Sequence, residues 1–136
     1  MNIFLNKKIL IYGLGKTGLS ALKFLKNKSE IFLYDDHLSK LKNLGIRNTI
    51  SYKNLLKLNF DQIILSPGID INKCKLSKFL KRNHNKIYSD LDVFYSFYKN
   101  DCITITGTNG KSTTCQLMYE VLLDQKHDVR LVGNIG

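Results

Sequence analysis

The chain has 136 residues, 43% hydrophobic and 24% charged, with a formal charge of +10. That length accommodates one ordinary domain and not comfortably two, and the composition excludes a disordered chain. The longest apolar runs, such as Ile9-Leu10-Ile11-Tyr12, are strand-sized, so no membrane-spanning helix is expected.

In chain order, Met1–Lys8 has no apolar segment long enough for a secretory leader, so none is expected. Lys8–Tyr12 reads as a strand, followed by Gly13-Leu-Gly-Lys-Thr-Gly18 and a helix to about Asn27 with Leu19, Leu22 and Leu25 on one face. Ile31–Tyr34 is a second strand ending at Asp35-Asp36. Leu38, Leu41 and Leu44 predict a short helix that stops near Gly45. Arg47–Ser51 reads as a short strand and Tyr52–Leu58 as one or two helical turns. Gln62–Leu65 is a strand broken by Ser66-Pro-Gly68, which holds the only proline. Leu76–Arg82 is helical, Ile87-Tyr88 a strand, and Leu91–Tyr98 a helix. Cys102–Thr106 then predicts a strand, a glycine loop and a helix to about Gln125. Such alternation argues for an α/β chain with a parallel sheet whose ligand edge lies at the strand C-termini. The polar Lys99-Asn-Asp101 marks the expected boundary between a unit of 1–98 and a second of 99–136.

Charge and cysteine usage narrow the partners. Of 21 basic residues 18 are Lys, scattered along the chain, which favours a solvated surface over a nucleic-acid interface. Cys74, Cys102 and Cys115 form no CxxC pair and fit reduced thiols in a cytoplasmic protein. His37, His84 and His127 have no spacing that suggests metal ligation.

Two loops carry chemistry. Gly13, Gly15 and Gly18 form GxGxxG between a strand and a helix: the first glycine permits the tight turn, the second lets backbone approach a diphosphate, the third lets helix pack on strand. Asp35 stands 20 residues after Gly15, where a dinucleotide-binding domain keeps its ribose-binding acid. The alternative is a glycine turn that serves packing, with Asp35 capping the next segment. In the second loop, Gly107-Thr-Asn-Gly-Lys-Ser-Thr113, only two residues separate the glycines, against four in the general P-loop. The chemistry still suits ATP. Lys111 can reach the β/γ-phosphates, Ser112 can ligate magnesium, and the helix dipole favours the anion. Its rival is an exposed helix start with Ser112 or Thr113 as a simple cap.

The short GTNGKST loop, with GLGKTG near the N-terminus and Ser66-Pro-Gly68 between them, resembles the Mur ligase family of peptidoglycan precursor synthesis. The fingerprint Gly13–Ser20 and the terminal Gly133-Asn-Ile-Gly136 are most similar to its D-glutamate-adding branch. The resemblance implies a Rossmann-like domain holding UDP instead of NAD, followed by the start of a truncated ATP-binding α/β domain. It further implies that Gly15, Lys16 and Thr17 approach the diphosphate, that Asp35 and Asp36 face the uridine, and that Gly68 and Asn134 contact the UDP substrate. Gly107, Thr108, Asn109, Gly110, Lys111, Ser112 and Thr113 would hold ATP, with Ser112 on Mg2+ and Lys111 and Ser112 catalytic. The implied partners are UDP-N-acetylmuramoyl-L-alanine, D-glutamate and ATP, with no nucleic acid or membrane and a monomeric full-length enzyme. Lys16 and His37 depart from the family pattern, which often has an apolar residue and an Arg there. The remaining magnesium ligands and the amino-acid-binding domain are expected beyond Gly136, making this chain the front third of a ligase. The alternatives are another Mur ligase, such as the L-alanine-adding one, or a non-catalytic dinucleotide sensor.

Overall fold

The computed structural model describes residues 2–37 and 48–133. The chain divides into two compact units, Met1–Lys99 and Asn100–Gly136. The expected helix at Leu38–Gly45 lies outside the described residues, as do Arg47 and Asn134.

The first unit is built on four parallel strands: β1 (Lys8–Tyr12), β2 (Glu30–Tyr34), β3 (Gln62–Leu65) and β4 (Ile87–Tyr88), in the spatial order β2-β1-β3-β4. Pairing of Ile11 with Leu33 on one side and Ile64 on the other puts β1 at the centre. Successive strand residues point to opposite faces, and here both faces are covered, so the strands are apolar at nearly every position. Ile9, Ile11, Leu33 and Ile64 enter one core with Ala21 and Leu25; Leu10, Tyr12 and Ile63 enter the other with Leu55 and Leu80.

Among the described residues, the α-helices of this unit are α1 (Lys16–Leu25), α2 (Tyr52–Leu55), α3 (Ser77–Arg82) and α4 (Asp90–Phe97). Their starts follow side-chain chemistry in two cases. The Ser51 hydroxyl accepts from Asn54 N at the head of α2. Ser89 and Asp92 form a reciprocal capping box at the head of α4, satisfying two amides that would otherwise lack partners. Of the expected strand at Arg47–Ser51, one parallel bridge is present, between Thr49 and Leu33, held by Leu33 N to Asn48 O and Ile50 N to Leu33 O.

The second unit holds α5 (Lys111–Asp124). Cys102–Thr106, expected as a strand, forms none among the described residues. A strand is defined by the ladder a neighbour supplies, and the described residues of this unit contain no second strand to pair with.

Candidate functional site

The strand order fixes where a ligand edge can lie. The chain runs from β1 outward to β2 and then crosses to β3 on the other side of β1. The topological switch point therefore lies beyond the carboxyl ends of β1 and β3, the edge where open α/β sheets bind ligands. The loop after β1 is Gly13–Gly15 and the loop after β3 is Ser66–Gly68, so the fold brings GLGKTG and SPG together at that edge. Ser66 Oγ donates to Gly13 O at 2.8 Å and directly joins the two.

The three glycines of the first loop do different work. Gly13 has φ +95°, and a Cβ there would sit 2.7 Å from Ser66 Cβ. A Cβ on Gly18 would lie 1.9 Å from Gly13 O, so α1 could not pack on the loop with any larger residue. Gly15 has open space around its Cβ position, with nothing within 4 Å, and the same holds for Gly68. Two glycines thus serve packing, while Gly15 and Gly68 leave room at the edge. Gly15 caps α1 with no side-chain hydrogen bond, and the first turn of that helix contains no acid. Lys16 and Thr17 follow in that turn. Amides left without acceptors, a neighbouring lysine and a helix dipole together favour an anion.

Asp35 is positioned differently from a side chain aimed only at ligand. Its Oδ2 accepts from Leu14 N and its Oδ1 from His37 N, both at 2.8 Å. It ties the end of β2 to the glycine loop, reinforced by Gly13 N donating to Tyr34 O. Asp36 also turns inward: Oδ1 accepts from the Tyr12 hydroxyl at 2.9 Å and Oδ2 from Lys75 N at 3.4 Å. Burial, foremost, and the nearby Asp36 carboxylate push the Tyr34 phenol upward. Sequence reasoning passed over Ser66 as a contact and over Tyr12 and Lys75 altogether. Tyr12 was visible as the one hydroxyl-bearing residue of β1, following the aliphatic run Ile9-Leu10-Ile11.

In the second unit, Gly107 and Gly110 have φ of +155° and +76°, in the range that favours glycine. Gly110 caps α5 with no side-chain hydrogen bond, and the first turn of α5 carries no acid. Lys111 Nζ folds back to donate to Gly107 O and to Thr108 O, closing the loop around its ammonium group. Thr114 Oγ1 donates to Gly110 O at 2.9 Å. Lys111, Ser112 and Thr113 are exposed. A left-handed glycine, a helix start with no side-chain cap and an exposed lysine make this loop chemically suited to an anion.

A parallel sheet with a glycine loop at its switch point defines an α/β domain of the kind that takes ligands at its carboxyl edge. Residues 7–87 match the family described as Mur ligase MurD-like, N-terminal domain. The chain belongs to the Mur ligase family. It is 38% identical over 144 residues to the UDP-N-acetylmuramoylalanine–D-glutamate ligase of Rickettsia prowazekii (strain Madrid E), covering 100% of this chain and 32% of that protein. Proteins of the same name from Wolbachia pipientis wMel and Aquifex aeolicus (strain VF5) are 34% and 35% identical, over 100% and 95% of this chain and 28% and 29% of their own lengths. The chain thus spans about a third of the length of the curated relatives it matches.

Proposed function

We propose that this chain is the nucleotide-handling front portion of an ATP-dependent ligase that adds D-glutamate to UDP-N-acetylmuramoyl-L-alanine in peptidoglycan precursor synthesis. The observation that carries the reading is the open backbone at Gly15 and Gly68, the two positions on the switch-point edge where a Cβ would meet nothing within 4 Å. The names of the relatives, matched across the whole chain, supply the substrate class.

Residues 1–98 form the UDP-substrate domain in this reading. Gly15, Lys16 and Thr17 present backbone amides and an ammonium group to the diphosphate. Asp35 and Asp36 shape the uridine end, and Gly68 lies along the substrate. Residues 99–136 begin the ATP-binding domain, which is consistent with the exposure of Leu117 and Val121 on α5. Lys111 leaves the carbonyls of Gly107 and Thr108 to offset charge on the transferring phosphoryl group, and the α5 amides hold the β-phosphate. Magnesium, when bound, would neutralise phosphate oxygens, with Ser112 contributing one ligand. The substrate carboxylate accepts the γ-phosphoryl of ATP, and the D-glutamate amine then displaces phosphate to form the amide. The enzyme would act in the cytoplasm, as a monomer.

In the ligase, replacing Lys111 by Ala should lower ATP-dependent turnover by about 100-fold or more, the size of losing one electrostatic donor to the transition state. Binding of the UDP substrate, followed by titration calorimetry, should stay within about twofold, because the first unit holds the loop proposed to bind it. Near-normal turnover in that variant would remove Lys111 from the chemistry.

A further inference from the structure

Gly13 and Leu14 share one peptide unit, and side chains from the two neighbouring strands hold both of its polar ends. On the β3 side, Gly13 O accepts from Ser66 Oγ at 2.8 Å. On the β2 side, Leu14 N donates to Asp35 Oδ2, also at 2.8 Å. Turning this peptide by half would exchange its N–H for its oxygen and forfeit both bonds. Gly13, at φ +95°, has the backbone freedom to make such a turn, so the restraint comes from the partners. Ser66 is itself fixed, since its N donates to Tyr12 O and its O accepts from Ile69 N, each at 3.0 Å. Its hydroxyl sits where the glycine turn meets the head of α1: a Cβ on Gly13 would lie 2.8 Å from Ser66 Oγ, and one on Gly18 3.4 Å from it. Asp35 withdraws Leu14 N from any ligand. The amides the loop can present are therefore those that follow, at the head of α1.

We propose that Ser66 is a positioning residue for the diphosphate: it pins the Gly13–Leu14 peptide against Asp35 and so sets the aim of the Gly15, Lys16 and Thr17 amides. It does this without touching the ligand. The proposal rests on the nucleotide reading of the same edge. Each bond holds the peptide in place for the other, so Ser66 and Asp35 act as one device, and releasing either end frees the peptide that both restrain. Ordering completed on folding lowers the cost of ordering on binding.

The test uses the whole chain and compares UDP with uridine, which lacks the diphosphate that the α1 amides would meet. Ser66→Ala should weaken UDP binding about fivefold, the size of one neutral hydrogen bond, while uridine binding followed by NMR titration moves less than about twofold. Ser66→Cys keeps a weaker donor at the same place and should fall between the two. Without ligand, hydrogen exchange at the Leu14 amide should quicken about tenfold in Ser66→Ala, although the hydroxyl removed lies at the other end of the peptide. Exchange at Leu10 and Ile11 should stay within about twofold. Adding Ser66→Ala to Asp35→Ala should weaken UDP by less than about a further twofold, because the peptide is already free. Equal losses for UDP and uridine, unchanged Leu14 exchange, or additive losses in the double variant would each overturn the proposal. If the unsubstituted chain bound no UDP, the nucleotide reading would fall and take this proposal with it; any of the other failures would leave that reading standing.

Discussion

Two glycine-bearing loops each lead into a helix in this chain, and they are held by different means. The loop at Gly13–Gly18 is fixed from outside: Asp35 grips it from β2, Ser66 from β3, and α1 rests on it through Gly18. The loop at Gly107–Thr113 is fixed from within, by Lys111 and Thr114 bonding to its own carbonyls, and α5 behind it has no buried residue. A loop clamped by a sheet has its amides aimed before any ligand arrives, so little ordering remains to be done on binding. A loop closed on its own lysine would have to give up those bonds for the phosphate contacts proposed for it. The first therefore shapes a site by packing, the second by exchange of hydrogen bonds.

The largest effect expected from this contrast is at Gly18. A methyl group there would lie 1.9 Å from Gly13 O, a backbone atom that cannot swing aside. Gly18→Ala should cost about 3 kcal/mol in urea denaturation, the upper end for overpacking, together with the affinity for UDP. A loss below about 1 kcal/mol would mean that the loop yields, and the claim that α1 fixes it would fail. Asp35→Ala comes next, because both carboxylate oxygens accept backbone amides. Losing two charge-assisted bonds, one part-buried and one exposed, should cost about 2 kcal/mol in the same measurement. Unchanged stability with a weakened UDP complex would instead make Asp35 a ligand contact and leave the clamp to Ser66.

Much of this was legible in the sequence for a physical reason. A strand apolar on consecutive positions, such as Ile9-Leu10-Ile11, has to be covered on both faces, and β1, β3 and β4 follow the predicted spans. GxGxxG placed Gly13 and Gly18 correctly because the tight turn and the helix contact depend on local spacing. The inward engagement of Asp35 and Asp36 was not legible. It depends on Leu14, Tyr12 and Lys75, which are 21 to 39 residues distant in the chain and meet only once the sheet has formed. The strand expected at Cys102–Thr106 fails by the same logic, since propensity is local and a ladder is not.

The smallest effect separates the two loops by a single kind of substitution. Gly15 and Gly110 both have empty space where a Cβ would go and both precede the first residue of a helix. They differ in backbone: Gly15 has φ −74°, open to any residue, whereas Gly110 is left-handed at φ +76°. Gly15→Ala should therefore change the stability of the first unit by less than about 0.5 kcal/mol, with the loss of a good N-cap offset by reduced chain entropy in the unfolded state. Gly110→Ala should cost about 1 kcal/mol or more, which thermal melting of α5 by circular dichroism would register as a lower midpoint. The ligand effect should run the other way in the first loop, since a methyl at Gly15 occupies the space proposed for the diphosphate and should weaken UDP without weakening the fold. A Gly15→Ala protein that is both stable and fully competent for UDP would show that the open edge at Gly15 is not where the nucleotide lies.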